Sequence, residues 1–175
     1  MKMEQETATT AQAAHGCDGP TLARLGRIFP AHAFFVSRLL HRGRIPLADK
    51  ESVILRVAHH MGCAYEWVHH SVMAQDQGVS RREVDSITLA QNGSWSTRTR
   101  ALLEATDELL DTGRLSPGTL SALRGHLSDD ACVELCMVVG HYVMGAMIIN
   151  TSGCEIEPPY RSSLARSRAG TGARG

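Results

Sequence analysis

The sequence predicts an all-α protein, a compact multi-helix domain, on three observations. Apolar residues recur at three- and four-residue spacing through the middle of the chain, no alternating apolar stretch is long enough to argue for a sheet, and Gly, Pro, Ser and Asp separate the periodic segments as stops and caps. A length of 175 residues, 43% hydrophobic and 21% charged, suits one domain that can bury a core. That domain is expected over residues 20–158, after a disordered arm over 1–19 and before a flexible basic tail over 159–175.

The arm is polar, rich in Ala and Thr, and ends in the turn-forming run His15-Gly16-Cys17-Asp18-Gly19-Pro20, in which Cys17 reads as incidental. Leu22, Leu25, Ile28 and Phe29 predict a short helix ending before Pro30, and Ala33, Phe34, Val36, Leu39 and Leu40 a second one up to Gly43. A strong helix follows Pro46, with Val53, Ile54, Val57 and Ala58 on its inner stripe and Glu51 in its first turn, where a carboxylate answers the helix macrodipole. Gly62 breaks the path, and one helix is then expected from Cys63 to Gln77. Ser80 and Glu83 have capping-box spacing before a short helix through Leu89, and Gln91-Asn92-Gly93 is a turn. An amphipathic helix runs from about Ser96 to Asp111, Ser116-Pro117 opens a short one through Leu123, and Ser128 caps the last and most apolar helix, to about Thr151.

The stretch His59-His60-Met61-Gly62-Cys63-Ala64-Tyr65-Glu66-Trp67-Val68-His69-His70 concentrates imidazoles, a thiol, a carboxyl and two aromatics. On a helix, Cys63, Glu66 and His70 stand at i, i+3 and i+7, which stacks them on one face within about 60°. Glu51, then Cys63 twelve residues later, then Glu66 and His70, resembles the signature of the carboxymuconolactone decarboxylase and alkylhydroperoxidase D superfamily. The wording Cys63-Ala64-Tyr65-Glu66-Trp67 followed by His70 is similar to the decarboxylase branch. In the peroxidase branch a second cysteine stands where this chain has Glu66, so the resemblance implies the fold and the site's location but not a dithiol peroxidase. It also implies an upstream glutamate in a proton relay, and homo-oligomers, trimers or hexamers.

Loss of CO2 beside a carbonyl leaves an enolate that needs charge stabilisation and a proton. For such chemistry His70 is the expected proton donor or base, Glu66 its proton-sharing partner, Glu51 a relay and Cys63 a pocket wall or auxiliary acid. Tyr65 and Trp67 shape the pocket, and His141 and Tyr142 are candidate lining residues. The expected substrate is a small organic acid or keto compound, turned over without a cofactor by decarboxylation or a related isomerisation, dehydration or cyclisation. The alternative is a single-cysteine peroxidase at Cys63, disfavoured because the Glu66 carboxylate opposes a thiolate and no local resolving thiol stands beside it. A third reading pairs His59 with Cys63 and Glu66 with His70 in a metal-binding module, but the pattern matches no strong zinc motif, and no metal is expected.

The formal net charge is zero, from 18 basic and 18 acidic residues, which gives no electrostatic footprint for nucleic acid or an anionic membrane. Five cysteines are an odd number in a chain too large to need stapling, and the N-terminal residues lack the apolar run of an export signal, so a cytoplasmic protein is expected. Residues 131–149 are mostly apolar but carry Glu134, His141 and two glycines, which reads as a helix buried in the core or between subunits rather than in a bilayer. Cys132 and Cys136 on that helix read as core residues, and Arg56 as a surface residue or a clamp for an acidic substrate.

Overall fold

The computed structural model describes residues 26–89, 95–158 and 160. Their order is α1 Ile28–His41, α2 Leu47–His60, α3 Ala64–Asp76, α4 Arg81–Ser86, α5 Thr97–Thr112, α6 Pro117–Arg124 and α7 Asp129–Ser152, with no strand among the described residues. The arm, Cys17, the first half of the expected 21–29 helix, the 91–93 turn and the basic tail except Tyr160 lie outside them.

Local chemistry sets most boundaries. Ser80 and Glu83 close a full capping box on α4, and the side chains of Ser96, Ser116 and Ser128 each accept the third backbone N–H of the helix they start. Gly113 and Gly153 end α5 and α7 in the left-handed region, which a residue without Cβ adopts at no steric cost.

Four expectations need correction. Pro30 lies inside the first turn of α1 rather than beyond a helix end, because the N–H that proline lacks would have no intrahelical acceptor there. Cys63 is not in α3 but caps it, with φ −86° and ψ 89°; Gly62 at φ +60° turns the chain first. Glu51 lies beyond the first turn of α2, where Asp49 is the first-turn acid, and it is fully buried. The short helix α4 stops at Ser86 rather than Leu89, and residues 87–89 form a turn.

The core is built around α2, which packs on α3, α5 and α7. Val53, Ile54 and Val57 of α2 join Leu102 and Ala105 of α5 and Leu135 and Val138 of α7 in one fully buried cluster. Polar groups enter this core in pairs. Lys50 is 1% exposed; its Nζ lies 2.8 Å from Glu134 Oε1 on α7 and donates to the carbonyls of Leu39 (2.5 Å) and Leu40 (3.1 Å) at the end of α1. Glu134 also accepts the backbone N–H of Arg44 at 2.5 Å and of Ile45 at 3.3 Å. Gly43 passes so close that a Cβ there would collide with the Glu134 carboxyl.

Arg56 is neither a surface residue nor a substrate clamp. It is buried and donates through Nε and Nη2 to both oxygens of Asp107, at 2.6 Å each, and through Nη1 to the Ile87 carbonyl at 2.5 Å. This fork ties α2 to α5 and to the turn after α4.

Among the described residues one helix, α7, is long and apolar enough to cross a membrane, and 44% of its most apolar window is buried in the protein. The remainder is an open apolar face: Val133, Met137, Met144 and Met147 are exposed at alternating spacings of four, seven and three residues, together with Cys136, which was expected in the core.

Candidate active site

The His70 ring on α3 is held from below by α2. Its Nδ1 lies 2.7 Å from Glu51 Oε2, and the Glu51 side chain is fully buried while that of His70 is 12% exposed. Where Glu51 is the acceptor, Nδ1–H donates to it and Nε2 is the nitrogen that can exchange a proton. Glu51 Oε1 is buried without a hydrogen-bond partner among the described residues, so the whole pairing capacity used by this carboxyl goes to His70. A buried carboxylate left with one partner fixes that partner's orientation, because losing it would strand the charge.

On its other side the face of α3 looks toward α7, and three expected residues follow one another along it. The His70 ring meets the Tyr142 ring edge-on at 5.0 Å. Glu66, also buried, lies against Gly145, where a Cβ would stand only 2.7 Å from Glu66 Oε1. Cys63 packs with Ala146 and Ile149. Positions 70, 66 and 63 on one strand of the interface thus face 142, 145–146 and 149 on the other, and the glycine makes room for the carboxyl.

The Cys63 thiol is 1% exposed and pushed up to about 11, chiefly by burial; the Glu66 backbone N–H pulls it back, the Glu66 carboxyl raises it further, and the Tyr65 N–H lowers it least. At pH 7 about one such thiol in ten thousand is ionised.

His141 is half-buried and stands between Tyr142 at 5.1 Å, His32 at 5.1 Å and Phe35 at 5.8 Å. Its Nδ1 is buried with no hydrogen-bond partner among the described residues, and burial, then His32 and His70, lower its pKa to about 4. A histidine neutral in the fold and protonated in the unfolded chain contributes stability that is complete above about 6.5 and lost as pH falls toward 4. Unfolding midpoints in urea should therefore fall between pH 6.5 and 4.5, and His141→Gln should flatten that slope.

Tyr65 and Trp67 are buried as expected, but they face different neighbours. Trp67 sits in the core with Leu55 and Val68, and Tyr65 donates its hydroxyl to Glu157 Oε1 at 3.1 Å. Sequence reasoning missed Glu157, His32 and the role of His69, which stacks on Tyr65 and on Tyr160 at 4.2 Å each. No spacing signal links Glu157, Tyr160 or His32 to their partners, although Tyr65 and His69 stand at i and i+4 on α3. His59 is exposed beside Trp67, and among the described residues no three His, Cys, Asp or Glu side chains gather where one ion could bind them. A cavity of about 200 Å³ lies across α2 between Asp49, Ser52, Gly78, Ile87 and Trp95, and none of the site residues lines it. The chemistry on the α3–α7 face, rather than that hollow, marks the site.

Residues 24–108 match the model of the carboxymuconolactone decarboxylase family. That segment belongs to this family. The decarboxylase-family segment holds Glu51, Cys63, Glu66 and His70, whereas Tyr142 and Gly145 come from α7 beyond it. No curated protein matches the sequence. Among solved structures, an alkylhydroperoxidase AhpD core, an uncharacterised peroxidase-related protein from Ralstonia eutropha, is 16% identical, with a TM-score of 0.78 over 91% of this chain and 87% of that one. A protein of unknown function from Agrobacterium tumefaciens, assigned on trial to AhpD antioxidant defence, is 19% identical, with a TM-score of 0.68 over 75% and 91%. The debrominase Bmp8 is 18% identical, with a TM-score of 0.73 over 83% and 80%, and a cysteine-to-alanine variant of it holds 2,3,4-tribromopyrrole. At such identities the likeness establishes the all-helical AhpD-like fold, in agreement with the fold class read from the sequence.

Proposed function

We propose that the protein is a cofactor-independent enzyme that moves protons on a small organic acid or keto compound, in the manner of a decarboxylase, with His70 as the acid or base. The observation that carries this reading is the Glu51–His70 pair, a buried carboxylate fixing one imidazole nitrogen at 2.7 Å while the other is left for chemistry. Glu66, one turn toward the N-terminus of α3, is the second proton-sharing group. Tyr142 supports the imidazole edge, and His141, Tyr65 and Trp67 shape the surroundings.

Thiol chemistry at Cys63 is the rival, favoured by the peroxidase-related relatives and by the cysteine variant used with the debrominase. A buried thiol near 11 with a carboxyl beside it weighs against a resting nucleophile. The test runs both chemistries on one preparation. A panel of β-keto acids and unsaturated lactone acids is followed by CO2 release and substrate loss, and hydrogen peroxide and an organic hydroperoxide by consumption and by trapping of sulfenic acid at Cys63. Turnover in the first panel with slow Cys63 oxidation is expected. Rapid stoichiometric trapping with thiol-supported peroxide turnover overturns the acid and base reading.

We further propose a homo-oligomer, a trimer or hexamer, built on the open face of α7. Val133, Met137, Met144 and Met147 recur there on helical spacing with no charged residue between them on that face, which is what a second helix packs against. Light scattering should give a mass several times 19.0 kDa. Met144→Lys should lower it, and a wild-type monomer would sink the idea.

A further inference from the structure

We propose that the segment after α7, Cys154–Pro158 with Tyr160, is a strap that closes the Cys63 end of the site, and that Glu157 is its latch. Glu157 faces two residues of α3: Oε1 accepts the Tyr65 hydroxyl at 3.1 Å, and Oε2 lies 3.1 Å from His69 Nε2, a close approach without hydrogen-bond geometry. The His69 ring is itself fixed, with Nδ1 2.8 Å from the Tyr65 carbonyl, the Tyr65 ring stacked on it and the Tyr160 ring tilted against it, each at 4.2 Å. One carboxylate and one aromatic ring from the strap therefore clamp one turn of α3.

Ile156, between the latch and α7, places its side chain against the Cys63 cluster and against the cluster that holds Trp67. Cys154 packs on the Cys63 cluster as well. The thiol is thus sealed by two kinds of neighbour: Tyr65, Ala146 and Ile149, which belong to the helices or their interface, and Cys154 and Ile156, which belong to the strap. Of these, Ile156 can leave without unfolding a helix, whereas Cys154 is tethered by its disulfide and acts as the strap's fixed end. The latch side chains are 19% and 28% exposed, and ion pairs and ring contacts that wet hold weakly. The strap accordingly opens far more often than the core, at the low end of the local-stability range.

Opening exposes Cys63 and the adjacent Glu66 to a small molecule from the side that Ile156 covers. What passes depends on the acid and base reading given above; that the strap opens does not. The two are separated by reading thiol accessibility rather than turnover. The full chain, without reductant so that the disulfide at Cys154 is kept, is treated with iodoacetamide at pH 8.5, and alkylation is followed peptide by peptide. Cys136, on the α7 face proposed above to pack between copies, and Cys132, buried near the start of that helix, are internal references.

In Glu157→Ala and in Tyr160→Ala, Cys63 should be alkylated at least about tenfold faster than in the wild type, with Cys132 and Cys136 unchanged. An unchanged Cys63 rate in both variants overturns the proposal. A rise at Cys63 matched by Cys132 overturns it too, because the helices would then be loosening together. If His70 proves dispensable for turnover while Cys63 is unsealed by Glu157→Ala, the reading of the chemistry fails and the strap stands.

Discussion

Lys50→Met should be the most destabilising single change near the site, costing about 3–5 kcal/mol. The ammonium is almost completely buried and serves three acceptors at once: the Glu134 carboxyl and the last carbonyls of α1. Removing it leaves Glu134 in the core facing only the N–H groups of Arg44 and Ile45, and two helix-end carbonyls lose their donor. For a chain of this length that loss lowers the thermal midpoint by roughly 6–20 °C, measured by calorimetry or circular dichroism. The double variant Lys50→Met with Glu134→Leu should regain a large part, since a buried pair replaced whole costs far less than one broken in half.

The same junction sets an acid limit. Burial pulls the Glu134 carboxyl up, but the Lys50 ammonium and the two backbone N–H groups outweigh it and leave it below its ordinary value. A carboxyl depressed in the fold stabilises above its unfolded value and loses that contribution as pH falls through its folded one. This loss lies below about 4.5, beneath the window in which His141 acts.

His70→Ala should lower turnover on any accepted substrate by at least about a hundredfold, the usual range for a positioned proton-transfer group. Alanine also strands the Glu51 carboxylate, so loss of activity from unfolding has to be separated from loss of chemistry. His70→Gln does this: its amide N–H can still donate to Glu51, so the midpoint should stay near wild type, while no group remains to carry a proton. Glu66→Gln, nearly isosteric against Gly145, should cost a similar factor without a change in midpoint. Full activity in His70→Gln and Glu66→Gln would remove both residues from the mechanism.

The helices were legible where the signal is local. Ser80 with Glu83, Ser96, Ser116-Pro117 and Ser128 act on backbone groups within three residues, and each start falls where its cap stands. Pro30 misled because proline ends a helix from inside and is tolerated in its first turn, and the sequence alone does not say which. Cys63 looked helical by spacing, yet Gly62 reverses the backbone just before it. For the site, Glu66 and His70 share a face of α3 by periodicity, with Cys63 at its cap, but the partner of His70 lies 19 residues upstream on another helix. Only the family pattern pointed to Glu51. Lys50 with Glu134 and Tyr65 with Glu157 are joined over even longer separations, 92 residues for the second pair, and nothing in either neighbourhood announces the other. The exposure of Cys136 was missed for a related reason: an apolar helix has no polar stripe to show which side is open.

Lys50 and Glu51 are consecutive on α2, and successive side chains leave an α-helix about 100° apart. One turn of backbone therefore sends a cation toward α1 and α7 and an anion toward α3. For anyone transplanting the His70 pair into another scaffold, the minimal unit is larger than two residues. A host must supply an acceptor set for the cation on one side and an imidazole for the carboxylate on the other, or replace Lys50 with an apolar residue and refill the space at Gly43.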